Sequence, residues 1–268
     1  MKRISILLLF LTVFGVSLSA QHLSLKGHQI TGNVESFISS LIKDGFWQDP
    51  SNQGLLYGTY CNIPATFTFV SSSVTNTVYQ VEVSITQTVK EELEFKKYWH
   101  SLKNNQKRSI IKSDKYDYTR IVEWQIIQHA ELNNPALQGL VAQKVSEYSK
   151  KQWRKIQQGN IWNEGLYQKE PKISLYHAYL DVKDALTKLY GKPKKVKEKK
   201  EYNEYDCVFS ISSGTIEVRY GGLPYIPGVA ITLTDKKNED ISKKECAKFD
   251  VMSKESRANR ANVNVLDL

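Results

Sequence analysis

The stretch VYQVEVSIT, residues 78–86, alternates with period two. Tyr79, Val81, Val83 and Ile85 fall on one side, and Gln80, Glu82 and Ser84 on the other. That is the pattern of a strand with one buried face. GVAITLTD, residues 228–235, alternates in the same way. Val81 lies 148 residues before Val229, and the same shift carries Val83 onto Ile231 and Ile85 onto Leu233.

Working outward, the match extends. GLLYGTYC (54–61) and ATFTFVS (65–71) read as strands joined by a turn at Asn62 and Pro64. EYDCVFSIS (204–212) and GTIEVRYGG (214–222) occupy the corresponding places late in the chain. Each set follows a helix. In the first, Asn33 is an N-cap and Val34, Phe37, Ile38, Leu41 and Ile42 share one face; Gly45 ends the helix and Phe46 folds back onto Leu41. In the second, Val182, Ala185, Leu186, Leu189 and Tyr190 share a face, and Gly191 and Pro193 end it. Val34 again lies 148 residues before Val182.

The expected fold class is α+β: a duplicated helix–strand–strand–strand unit forming a largely antiparallel sheet with helices on one face, plus a helical insertion between the repeats. Phe37, Leu41, Ile42, Ala185, Leu189 and Tyr190 are expected to be buried. The lysine-rich run KPKKVKEKK (192–200) reads as an exposed connection.

LKGHQITGNVESFISSLIKDGF, GTYC and VYQVEVSI, with LTKLYGKP and VAITLTDKKN near the end, carry a resemblance. The chain resembles a family of uncharacterised secreted proteins of Bacteroides-type gut bacteria. The matching positions include Gly27, Ile30, Gly32, Phe37, Asp44, Gly45 and Phe46, then Leu189 to Pro193, and Leu233 to Asn238. These are mostly turn glycines and core apolar residues. The resemblance therefore implies fold and export, and no activity comes with it. It covers roughly residues 22–86 and 176–238; the intervening region is longer than the family pattern leads one to expect.

That region is helical in character. Phe95, Tyr98, Trp99 and Leu102 form one stripe; Asn134 and Pro135 start another, through Leu137, Leu140, Val141, Val145 and Tyr148. IVEWQII (121–127) fits a helix or a strand. The organisation is then a signal peptide at 1–20, a first repeat at 21–86, a mainly helical insertion at 87–175, a second repeat at 176–238 and a polar tail at 239–268, disordered or loosely helical.

The first twenty residues supply the signal peptide. Lys2 and Arg3 precede an apolar run from Ile4 to Val16, and Ser17, Ser19 and Ala20 precede Gln21. That order predicts cleavage between Ala20 and Gln21 and an exported protein, periplasmic or secreted. No cysteine follows the run to take a lipid anchor, and no later stretch is long enough to span a membrane. Removing these residues lowers the formal charge from +9 to +7. The lysines are spread out, so the charge reads as a solvated surface and not as a nucleic-acid site. Cys61, Cys207 and Cys246 cannot all pair; Cys207 with Cys246 is one candidate bridge, and either way one thiol is left over.

Catalytic and metal motifs are absent. None of the five histidines stands in a metalloprotease pair, and no phosphate loop, dinucleotide fingerprint or serine elbow occurs. His129 with Glu131, and Cys61 as a nucleophile, are the nearest approaches to catalytic groups; both read better as ordinary surface or strand-end residues. No cofactor or metal is expected. Trp153, Trp162 and Tyr167 are the candidate binding residues, since exposed aromatics near a bend can stack on sugars or anchor a partner. Two functions follow: a secreted non-catalytic binding or envelope-associated protein with a protein or glycan ligand, or a secreted hydrolase acting on a cell-envelope or glycan substrate.

Overall fold

The computed structural model describes residues 22–113, 121–157, 174–199, 204–221 and 228–266. A small hairpin of β1 (Ser24–Leu25) and β2 (His28–Gln29) leads into α1 (Val34–Lys43). Four strands follow: β3 (Trp47–Asp49), β4 (Asn52–Tyr60), β5 (Ile63–Ser71) and β6 (Val78–Ile85). The insertion contributes α2 (Val89–Ser101), α3 (Asn104–Lys112), α4 (Ile121–Ala130) and α5 (Pro135–Gln157). A helix then again precedes four strands: α6 (Leu175–Tyr190), β7 (Lys195–Lys199), β8 (Glu204–Ile211), β9 (Gly214–Tyr220) and β10 (Val229–Asp235). The chain closes with α7 (Lys236–Leu266).

The eight long-range strands form one antiparallel sheet in the order β3-β4-β5-β6-β10-β9-β8-β7. The fold is α+β, as the sequence predicted. The two stretches that alternate alike are neighbours at its centre, where Val81 pairs with Leu233, Val83 with Ile231 and Ile85 with Val229. Each half has four strands where three were expected. β3 is only three residues long, and β7 lies within the lysine run read as a connection. That run is a strand because its residues pair in register with β8, Val196 opposite Cys207 and Lys197 opposite Asp206; exposed throughout, it has no apolar alternation to mark it.

One sheet face carries the core. Leu56, Phe67, Val83, Ile231, Val218 and Cys207 line up as successive cross-strand partners, each at most 1% exposed. α1 and α6 cover this face. Asn33 caps α1 by accepting the amides of Glu35 and Ser36. At the other end the Gly45 amide donates to the Ile42 carbonyl and the Phe46 amide to the Leu41 carbonyl, with Gly45 at φ 89°. The chain reversal drives Phe46 onto Phe67, ring centres 4.9 Å apart. Gly58 makes the room: a Cβ there would stand 2.6 Å from the Phe46 ring.

α6 buries Val182 and Leu186 of the expected stripe, but the stripe extends toward the N-terminus and not to the end of the helix. Leu175, Ala178, Tyr179, Val182 and Leu186 are buried. Ala185 is half-buried, Leu189 is 72% exposed and Tyr190 is exposed. The helix begins at Leu175, earlier than its apolar periodicity was traced from, so its first three turns take the centre of the sheet and its last turn runs past it. Ile42, expected to be buried, is exposed beside the fully buried Leu41, at the margin of the covered face of α1.

The N-terminal hairpin is tied to the end of the sheet by the motif ending at Asn238. Buried Asp235 accepts the Leu23 amide at 2.8 Å and caps α7 by accepting the Asn238 amide at 2.9 Å. The Asn238 side chain donates to the carbonyls of Ile30 and Val78. The polar tail is a helix, one of the two alternatives read for its far part at 253–264, and it starts inside the closing motif.

α2 packs on the opposite face, its backbone against β5 and its side chains reaching Asp49 and Trp47 of β3 and Tyr57 of β4. Residues 121–127 are helical, and the insertion has its own core of Trp99, Ile111, Ile127, Leu137 and Val141. Phe95 and Leu102 pack against it, while Tyr98, expected on the same stripe, is exposed. All three cysteines are free thiols, so Cys207 and Cys246 do not form the candidate bridge. Cys207 lies in the sheet core, whereas Cys246 is on α7 beside Ser73.

Candidate functional site

Charged groups meet where α2 crosses β3. Asp49 ends β3 at a bulge, and the Asp-Pro-Ser turn that follows folds Ser51 back onto it. The Ser51 amide and hydroxyl both donate to Asp49 Oδ1, at 2.9 and 2.6 Å. Lys96 of α2 donates to Asp49 Oδ2 and lies 5.1 Å from the centre of the Tyr57 ring. His100, one turn on, brings its Nε2 to 3.7 Å from Asp49 Oδ1; that atom is buried and has no hydrogen-bond partner.

Burial by itself would raise the Asp49 carboxyl, but the hydrogen bonds from Lys96 and Ser51 outweigh it and hold the pKa below the usual carboxylate range. Burial likewise works against the Lys96 cation, and the bonds to Asp49 and Tyr57 lift its pKa above an ordinary lysine. Burial pushes the Tyr57 phenol up and the His100 imidazole down.

Beside this pair opens a cleft of about 600 Å³, lined by Asp49, Ser51, Glu92, Lys96, Gln128 and His129 among others. Its chemistry is that of a fixed ion pair. Asp49 is ionised and Lys96 protonated throughout the neutral range, so neither exchanges a proton there. A carboxylate with a depressed pKa is also a weak base, so Ser51 gains little nucleophilicity from it. The geometry separates His129 from Glu131. His129 stands exposed at the cleft, whereas Glu131 is buried in the insertion, accepting Lys107 at 2.6 Å and Trp99 Nε1 at 2.8 Å. Cys61 is an exposed residue at the β4–β5 turn with φ 49°, and partial desolvation of its thiol by neighbouring groups raises its pKa, the reverse of activation.

The candidate aromatics cannot be placed together. Trp162 and Tyr167 lie outside the described residues; Trp153 falls on α5, but its side chain lies outside them too, as do Ala20 and Gln21. Among the described residues, no three His, Cys, Asp or Glu side chains converge as a metal site requires, and no helix is long and apolar enough to cross a membrane.

The second feature is the sheet face turned away from α1 and α6. β5, β6, β10, β9 and β8 alternate, so residues between the core positions project outward in register. Thr68, Glu82, Thr232 and Glu217 form one such row, and Thr66, Ser84, Ala230 and Arg219 the next. Every one of these side chains is half-buried or exposed. The Arg219 guanidinium pairs with Glu217 Oε1 at 2.7 Å, while Glu82 is satisfied by the neutral donors Gln80 and Thr68 and keeps its charge unpaired by a base among the described residues. The result is a broad polar platform bounded on one side by α2.

No family model, curated protein or solved structure matches the chain. The functional reading therefore rests on the geometry of the platform and the cleft. Sequence reasoning found neither. For the cleft a signal existed, because Glu92, Lys96 and His100 recur every four residues along α2, interleaved with the Phe95–Trp99 stripe.

Proposed function

We propose that the chain is an exported, non-catalytic binding protein that holds a protein or glycan partner on the open face of its sheet. The observation that carries this reading is the platform itself. A sheet that buries one face and leaves the other half-buried to exposed across β5, β6, β10 and β9 presents a preformed, rigid surface with hydroxyls at regular spacing, as recognition surfaces require. Export is supported by the ordered charge, apolar and small residues of positions 1–20. The resemblance to secreted Bacteroides-type proteins points the same way. The matching order of elements in the two halves, with the 148-residue shift, supports reading them as copies of one unit. The two rows carry Glu82 and Glu217 against a single base, Arg219, which argues against nucleic acid as the ligand.

The test is affinity capture from native envelope and medium with wild-type protein and with Thr68→Arg/Thr232→Arg, which alters only outward side chains. A partner retained by the wild type and lost by the variant supports the reading; identical capture overturns it. Intact-mass measurement of the exported form should begin at Gln21. Turnover of an envelope glycan that Lys96→Met abolishes would replace binding with the hydrolase reading.

A further inference from the structure

The two edges of the sheet are finished differently. β3 is short, carries a bulge between Gln48 and Asp49, and is packed against α2. β7 is the last strand at the other end, and all five of its residues are exposed. An uncovered terminal strand offers a row of backbone donors and acceptors to another extended chain. Here that row has a definite charge. Between positions 192 and 199 five lysines accompany one glutamate. Lys195 and Lys197 register with Val208 and Asp206 and so project on the side of the open face. Val196 projects to the other side and is 47% exposed.

We propose that β7 receives an extended acidic peptide segment of a partner protein as a ninth strand, with acidic residues at alternate positions beside Lys195 and Lys197 and apolar ones beside Val196. This rests on the binding reading above and names the partner's chemistry. A second copy of this chain is a poor occupant. Antiparallel pairing about Lys197 sets Lys197 against Lys197 and Lys195 against Lys199, and parallel in-register pairing sets every lysine against itself, both repulsive. The lysines thus block self-pairing along the edge and at the same time select an acidic strand. A free polyanion would satisfy the lysines alone and leave the backbone row unused.

The experiment uses a fluorescein-labelled eight-residue peptide alternating glutamate with valine. It is compared with the same peptide N-methylated at alternate amides, with its lysine-for-glutamate counterpart, and with a sulfated glycan as competitor. The glutamate peptide is expected to bind and to slow hydrogen exchange at residues 195–199. N-methylation should weaken it about tenfold or more, and Lys195→Glu/Lys197→Glu should reverse the preference toward the lysine peptide. Retained affinity in that variant, or no peptide binding, overturns the proposal. Equal affinity of the methylated peptide, or full displacement by the glycan, would mean a polyanion surface and also overturns it. Self-association through these residues in sedimentation would do the same. Thr68→Arg/Thr232→Arg separates the two readings. If the peptide fails to bind while that variant loses its envelope partner, only the edge proposal falls; if the peptide binds while capture is unchanged, only the open-face reading falls.

Discussion

Asn238 donates its side-chain amide to the Ile30 carbonyl at 2.8 Å, joining residues 208 positions apart in the chain. Its neighbour Asp235 completes the clamp through Leu23 and the first turn of α7. Asp235→Ala removes an N-cap and strands the buried Leu23 amide. A cost of about 2–4 kcal/mol is expected, the sum of a lost cap and an unsatisfied donor. Urea denaturation measures it, and the hydrogen-exchange protection of residues 23–30 should fall in parallel.

Leu41, on the sheet-facing side of α1, is fully buried, whereas Leu189 on α6 is 72% exposed. Leu41→Ala should therefore cost about 2–5 kcal/mol, and Leu189→Ala no more than about 0.5 kcal/mol. Paired thermal melts of the two variants decide whether the last turn of α6 lies past the sheet.

Gly58→Ala forces a methyl group against the Phe46 ring. The expected loss is about 1–3 kcal/mol, typical of overpacking. Because the obstacle is one ring, Phe46→Leu should recover part of it, which a double-mutant cycle would register as coupling.

The Asp49–Lys96 pair is asymmetric in what its removal leaves behind. Asp49 is 1% exposed, so Lys96→Ala abandons a buried anion and should cost about 3–5 kcal/mol. The double change Asp49→Asn/Lys96→Met should be milder than the single one. Denaturant midpoints of the wild type, Lys96→Ala and the double variant test this.

Acid should weaken the fold in two stages. Burial holds His100 below its ordinary pKa, so the folded state prefers the neutral ring. Stability from that preference is present above the unfolded value of about 6.5 and is lost as pH falls below it. Asp49, depressed by its hydrogen bonds, contributes stability above the ordinary carboxylate value of about 3.9 and loses it at lower pH. His100→Gln should flatten the first stage and leave the second. Urea midpoints between pH 3 and pH 7.5 would show both.

The central sheet was legible because strands buried on one face must alternate, and Val81, Val83 and Ile85 matched Val229, Ile231 and Leu233 at a constant shift. The cap and end of α1 were legible because Asn33 and Gly45 have local, nearly context-free roles. β7 was not, since an edge strand with both sides in solvent has no reason to alternate in hydrophobicity. The buried stripe of α6 was misplaced for a related reason: periodicity shows that a face is apolar, but where the helix stops being covered depends on how far the sheet reaches. The cleft escaped notice because Asp49 and Lys96 lie 47 residues apart, and no spacing rule links a turn aspartate to a helix lysine across that distance.

The strand order has a kinetic consequence. β10, the last strand synthesised, occupies the middle of the sheet beside β6. Until residues 229–235 emerge, β6 presents its valine-rich ladder unpaired, held only from the β5 side. Loop closure between these partners spans well over a hundred residues, so the chain is a slow folder by topology. A nascent or truncated chain ending before β10 would carry an open, apolar sheet edge, the kind of surface that chaperones hold and that aggregates when they do not.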